Sequence, residues 1–178
     1  MPTTLLLDKE EMTRILERLA CEVLERHGQC ERVMLVGIER RGADLARRLG
    51  ALMQQKLQRP LPLGTLDINL YRDDWTSLEG KPHIGQSRIT APVDNAEISL
   101  IDDVLFSGRT IRAALEALLD YGRPRKVELL VLVDRGHREL PIQADYIGRS
   151  VDTRPQEQVD VLLEERDGRD EVLLTAKN

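Results

Sequence analysis

Three short apolar runs constrain the fold more than anything else in this chain: residues 32–38 (RVMLVGI), 97–101 (EISLI) and 126–134 (KVELLVLVD). Their valine, leucine and isoleucine content and their brevity predict strands, and the near-continuity of RVMLVGI predicts cover on both faces. Helix-periodic segments separate them. Leu45, Leu49, Leu52 and Met53 mark one helix, which Pro60 and Pro62 prevent from continuing. Ile111, Leu115, Leu118 and Leu119 mark another, ending near Gly122. Strand, turn and helix units in succession predict an α/β domain, a mainly parallel twisted sheet flanked by helices with right-handed crossovers.

Around that centre, Asp8 with Glu11 forms a capping pair. Met12, Ile15, Leu16, Leu19, Val23 and Leu24 then follow a helical period until Gly28. Residues 63–71 (LGTLDINLY) alternate apolar and polar, which predicts a strand with one polar face. Residues 72–91 mix Gly, Pro, Ser and charge without a period; a loop of that length in a compact domain is functional or mobile. Residues 159–164 and 171–175, joined through Asp167-Gly168, read as a C-terminal hairpin. The 178 residues (1–178) suffice for a single domain with its own core.

The net charge of −5 argues against a surface coated in positive potential and leaves room only for a local basic patch. Cys21 and Cys30 lack metal-ligand spacing and read as reduced thiols. No stretch reaches the ~20 apolar residues of a membrane span, and the opening apolar run is too short for a signal peptide, so no membrane association and a cytoplasmic location are expected.

In an open parallel sheet, ligands bind beyond the carboxyl ends of the strands. Arg40 and Arg41, residues 102–110, and residues 134–138 all directly follow predicted strands. Ser107-Gly108-Arg109-Thr110 is a small-residue turn opening a helix, where converging N–H groups and the helix terminus favour a phosphate. Asp102 and Asp103, just before it, can accept hydrogen bonds from two adjacent hydroxyls or act through water on a hydrated divalent cation. Acidic pairs after strands also serve phosphoacceptor domains and metal-dependent phosphatases; the turn directly behind this one favours a ligand with both a diol and a phosphate, a ribose 5-phosphate. Arg40-Arg41 can alternatively be a solvated turn, and His27, His83 and Trp75 have bland structural readings.

ISLIDDVLFSGRT (98–110) resembles the phosphoribosyl-pyrophosphate (PRPP) signature of type I phosphoribosyltransferases. With LVGIERRG (35–42), LDINLYRDD (66–74) and VLVDRGHRELPIQADYIGRS (131–150) in the same order, the chain resembles the PyrR family. Its members are bifunctional pyrimidine-operon attenuation regulators with uracil phosphoribosyltransferase activity. The resemblance implies the type I fold with a C-terminal hairpin and a flexible hood loop. It implies transfer of the phosphoribosyl group of PRPP to uracil, with Mg2+ held mainly through PRPP rather than by a permanent protein site. It implies that Asp102 and Asp103 are catalytic, and that Arg40, Arg41, Val104, Leu105, Phe106, Ser107, Gly108, Arg109 and Thr110 bind PRPP and its phosphates. Tyr71, Arg72 and Arg88 would belong to the hood loop, and Arg135, Gly136, His137 and Val159 would meet uracil or its nucleotide.

The same resemblance implies binding of pyr leader mRNA, promoted by UMP or UTP, with Arg138, Arg149 and Arg18 as candidate contacts, joined by Arg14. Gln143 stands where a basic residue is expected in relatives, and Glu17 and Cys21 interrupt the helix face. A homodimer or homotetramer is implied as well. Two other readings carry weight: a nucleotide-sensing RNA-binding regulator with negligible turnover, and a purine phosphoribosyltransferase without an RNA role.

Overall fold

The computed structural model describes residues 3–74 and 85–176. Trp75, His83 and the middle of the expected hood loop lie outside the described residues. Five strands form one parallel sheet: β2 (Val33–Ile38), β3 (Leu63–Leu66), β4 (Glu97–Leu105), β5 (Lys126–Asp134) and β6 (Tyr146–Ser150), in the spatial order β3-β2-β4-β5-β6. A second, antiparallel sheet joins β1 (Thr3–Leu7), β8 (Glu171–Ala176) and β7 (Glu157–Leu162) in that order.

Why the central strands are legible is clear from their cover. Every residue of β2 is buried, because α1 (Lys9–His27) and α2 (Arg41–Leu57) close one face and α3 (Arg109–Leu119) the other. Alternate residues serve the two cores: Val33 and Leu35 meet Leu19, Leu45 and Leu49, whereas Met34, Val36 and Ile38 meet Ile111, Ala114 and Leu118. The expected capping box is present, with Asp8 Oδ1 accepting from Glu11 N at 2.8 Å and Asp8 N donating to Glu11 Oε2 at 3.0 Å.

Several local expectations are corrected. The strand expected over 63–71 stops at Leu66, and Asn69–Tyr71 is a 3₁₀ turn. There Asp67 accepts from Asn69 N at 2.8 Å, an Asx contact that draws the backbone out of the ladder. The strand expected to end at residue 101 runs on to Leu105. The hairpin forms, but its connection contains a short helix, α4 (Glu164–Asp167), and β1 adds a third strand that the sequence reading did not anticipate. β6 was also unanticipated: it is a half-exposed edge strand without an apolar run.

Candidate active site

The parallel register sets the carboxyl ends of β2, β4 and β5 side by side, so the three candidate loops open on one edge of the sheet. Two glycines permit the close approach. A Cβ on Gly37 would lie 2.4 Å from Ala43 Cα, and one on Gly42 would lie 2.4 Å from the Ile101 carbonyl oxygen and 3.2 Å from Asp102 Cα. Only glycine lets the start of α2 seat against the acidic stretch of β4. The peptide between Glu39 and Arg40, in this turn, is cis.

Asp102 and Asp103 are strand residues, and Asp102 is only 6% exposed. Their oxygens accept mainly from the chain itself: Asp103 N donates to Asp102 Oδ1 at 3.0 Å and Val104 N to Asp103 Oδ1 at 2.8 Å. Among the described residues neither carboxylate forms a salt bridge. Burial, and then the charge of Asp103, push the Asp102 carboxyl well above the usual carboxylate range. Burial also raises Asp103, while its hydrogen bond with Asp102 and the positive charge of Arg41 pull it back. Two acids so placed have unmet demand for donors or positive charge.

Behind them, Phe106, Ser107 and Gly108 turn the chain into α3. Gly108 has φ 91°, a left-handed conformation that a side chain would strain. The turn is fixed from outside, since Glu139 N and Leu140 N donate to the Ser107 carbonyl at 2.9 and 3.2 Å. Ser107, Arg109 and Thr110, with Arg72, Asp73 and Asp74, line a cavity of 220 Å³. The Arg109 guanidinium pairs with Asp73, across the same cavity, at 2.7 Å and with Glu139 at 2.5 Å, and Arg109 N donates to Ser107 Oγ at 3.3 Å. Val104 and Leu105 are half-buried and buried strand positions that support it.

The loop after β5 forms a third wall. Arg135 is buried, its guanidinium 4.2 Å from the centre of the Phe106 ring and within hydrogen-bond reach of Thr153 Oγ1 (3.3 Å) and the Arg154 carbonyl (3.1 Å). Burial lowers its pKa. Gly136 and His137 both have positive φ, 74° and 60°, and His137 Nε2 lies 2.6 Å from the Thr153 carbonyl, its ring edge-on to Phe106. Phe106 and these backbone groups present a flat apolar surface beside exposed polar edges. Val159 follows on β7 opposite Leu174, its side chain in the core.

Of the hood residues, Arg72 lines both the 220 Å³ cavity and an adjoining one of 430 Å³ formed with Glu39, Arg40, Asp67, Ile68, Asn69, Gly85 and Gln86. Tyr71 instead turns its hydroxyl to Asp120 at the end of α3. Arg88 pairs with Thr65 in an antiparallel bridge at the sheet edge. A larger cavity of 540 Å³ opens at the opposite end, near the starts of β2 and β4, away from this chemistry.

The remaining basic candidates separate into two groups. Arg18 and Arg149, 131 positions apart in sequence (149 − 18), meet where α1 packs on β6: with Leu7, Glu11, Arg14 and Ile15 they line a groove of 280 Å³. Arg18 donates to the Gly148 carbonyl at 2.5 Å and Arg149 to the Leu6 carbonyl at 2.8 Å, leaving each guanidinium close to half exposed. Arg138 is not in that groove. It donates to Asp134 Oδ2, the Ile142 carbonyl and the Phe106 carbonyl at 2.5, 2.9 and 2.9 Å, and so ties the third wall of the site together. Sequence reasoning missed Asp73, which lies within the LDINLYRDD segment but was given no role, and Arg166 and Asp167, which lie in a segment with no local motif; their tertiary contacts reveal them.

Comparison with known proteins agrees with this architecture. A model of the phosphoribosyl transferase domain matches residues 3–164. The chain is 49% identical to the bifunctional protein PyrR of Syntrophobacter fumaroxidans over 168 residues, 94% of this chain and 90% of that one. It is 52% identical to the bifunctional protein PyrR of Streptomyces coelicolor over 174 residues, 96% and 89% of the two chains. Among solved structures it superimposes on the hypoxanthine phosphoribosyltransferase of Trypanosoma cruzi with a TM-score of 0.73 at 11% identity, over 98% and 97% of the chains, a likeness of fold. Sequence identity at this level along nearly the whole chain, on a fold whose strand ends carry the acidic pair and the small-residue turn, places it in one family: the chain belongs to the PyrR proteins of the phosphoribosyl transferase superfamily.

Proposed function

We propose that the chain transfers the phosphoribosyl group of PRPP to N1 of uracil, forming UMP and pyrophosphate, and that uridine nucleotides promote its binding to pyr leader mRNA. One observation carries the enzymatic half: a buried Asp102 and a half-buried Asp103, with no salt bridge among the described residues, stand one bend before a glycine-turned helix start, which suits the two ends of a single ribose phosphate. The N–H groups and hydroxyls of Ser107 to Thr110 would bind the 5-phosphate. Asp102 and Asp103 would accept from the ribose diol. As the C1–O bond to pyrophosphate breaks and the C1–N1 bond forms, positive charge builds on the ribose, and the two carboxylates would stabilise it electrostatically. The uracil N1 proton leaves to solvent.

Arg40, with Arg72 across the 430 Å³ cavity, and Arg41, next in the chain at the start of α2, would receive the pyrophosphate. Uracil would sit against the wall made by Arg135, Gly136 and His137 beside Phe106, with the Val159 backbone near its edge. Among the described residues no three acidic, cysteine or histidine side chains gather into a metal site. Two neighbouring carboxylates with unmet demand fit Mg2+ that brings its remaining ligands from substrate and water, where it would neutralise charge on the leaving pyrophosphate. No helix among the described residues is long and apolar enough to cross a membrane.

For RNA, the groove of Arg14, Arg18 and Arg149, which Glu11 also lines, would supply the local basic patch on an acidic chain. Arg138, spent on the site wall, would act there only indirectly, by coupling nucleotide occupancy to that wall. A homodimer or homotetramer is part of the same proposal, and sedimentation velocity measures it directly.

Incubation with PRPP, magnesium and labelled uracil or hypoxanthine tests the enzyme; UMP from uracil and no product from hypoxanthine is the expected result. A chain that binds PRPP but makes no UMP would instead be a sensor. In gel shifts with pyr leader RNA, UMP should tighten binding, and Arg149→Ala should weaken it by about three- to tenfold without changing UMP formation.

A further inference from the structure

The turn between β7 and β8 reaches across to the start of α2. Arg41 Nη2 lies 3.2 and 3.3 Å from the two oxygens of Asp167. Asp167 is itself held in place, its Oδ2 accepting from Leu163 N at 2.8 Å and its N donating to the Leu163 carbonyl at 2.7 Å. Next to it, Arg166 donates to the buried Asp44, inside the first turn of α2, and to the Arg40 carbonyl at 3.3 Å. The turn is pinned to α2 a second time, because Arg48 binds Glu165 at 2.8 and 2.5 Å and Asp170 at 3.0 and 2.7 Å.

Meanwhile the buried Nε of Arg41 has no hydrogen-bond partner among the described residues. A buried donor left unsatisfied costs free energy, so the contacts that hold this side chain in place must offset it. The guanidinium is therefore held at Nη2 by Asp167 while about a third of the side chain stays exposed, and its charge acts on the Asp103 carboxylate.

We propose that Asp167 is a positioning residue, which with Arg166 holds Arg41 and the β2–α2 turn in the orientation that receives pyrophosphate. The inference rests on the assignment of Arg41 to pyrophosphate made above. An arginine side chain has large rotamer freedom, and restraining it before the ligand arrives removes that cost from binding. The opposing effect is the negative charge of Asp167, which on its own would repel pyrophosphate. The two effects predict opposite signs.

Calorimetric titration of the full chain with magnesium pyrophosphate separates them, using wild type, Asp167→Asn, Arg41→Gln and the double variant. Asp167→Asn keeps an acceptor for Leu163 N and loses the charge; it should weaken pyrophosphate binding about tenfold, and by less than about twofold when Arg41 is already glutamine. In UMP formation it should raise KM for PRPP and leave KM for uracil and kcat unchanged, a split that a general loss of structure would not produce. Equal or tighter binding by Asp167→Asn, full additivity in the double variant, or a wild type that does not bind magnesium pyrophosphate overturns the proposal. Should Asp167→Asn lose its fold, Asp167→Ser carries the same outcomes. A wild type that shows the binding pattern but makes no UMP refutes the proposed reaction and leaves Asp167 in its role.

Discussion

Glu128 and Asp102 are both buried carboxylates of the central sheet, one near the start of β5 and the other toward the end of β4, and their surroundings act in opposite directions. Burial pushes each upward. Around Glu128, hydrogen bonds from Lys126, His27, Arg26 and Tyr146 outweigh that and hold its pKa down at about 2. Around Asp102 there is another carboxylate and, among the described residues, no cation within salt-bridge distance, so the group stays raised. His27 ties the Glu128 cluster to Glu97 at 2.9 Å, so the end of α1 is fastened to both central strands. At the amino ends of the strands the fold satisfies its own charge; at the carboxyl end of β4 the acidic pair has no salt bridge among the described residues.

The largest effect expected from this contrast is on activity. Asp103→Ala should reduce UMP formation by about 100-fold or more while shifting the thermal midpoint by less than about 2 °C. A stable variant with wild-type turnover would break the comparison at its functional end. Next in size, Glu128→Gln should cost about 3 kcal/mol, or about 6–12 °C in thermal midpoint, since it leaves several donors facing a neutral amide. KM for PRPP should not move, because no part of that cluster reaches the site.

A smaller effect has the opposite sign. Asp102→Asn removes a buried acid whose ionised form burial and Asp103 disfavour, and should raise the midpoint by about 2–4 °C at a pH above its raised pKa, as activity is lost. A lowered midpoint would show that Asp102 is a structural acid after all.

The pH dependences sharpen the same contrast. For Glu128 the folded pKa lies below the ordinary glutamate value of about 4.3. Its stabilisation is therefore complete above that value and lost as pH falls toward about 2. For Asp102 the folded pKa lies above the unfolded one, so its contribution is favourable at low pH and is lost as pH rises through the raised value. Chemical denaturation across pH, on wild type and the two amide variants, reads both slopes. In activity, kcat/KM for PRPP should fall on the acid side at a pH above the usual carboxylate range.

Much of this was legible in one dimension. Buried parallel strands must be apolar on both faces, so RVMLVGI and KVELLVLVD marked the sheet centre. A turn that binds an anion needs small residues and a helix start, so Ser107-Gly108-Arg109-Thr110 stood out with the acids before it. The family, too, was readable, because its motifs are local and keep their order. What periodicity could not show were the edges and the long-range partners. β1 and β6 lie at sheet edges and carry no double-sided apolar run. The extension of β4 through its two acids was hidden because charge in a strand reads as an end.

The sequence by itself determined the α/β architecture and placed an acidic pair directly before a small-residue helix start at the end of β4, because both depend on neighbours a few residues apart. Tertiary structure alone decided that Arg18 and Arg149 share one groove, that Arg138 turns inward to brace the site, and that Asp167 takes hold of Arg41. Those contacts join segments with no common period. Only packing of the helices and of the small antiparallel sheet against the central one brings their charges within hydrogen-bond reach.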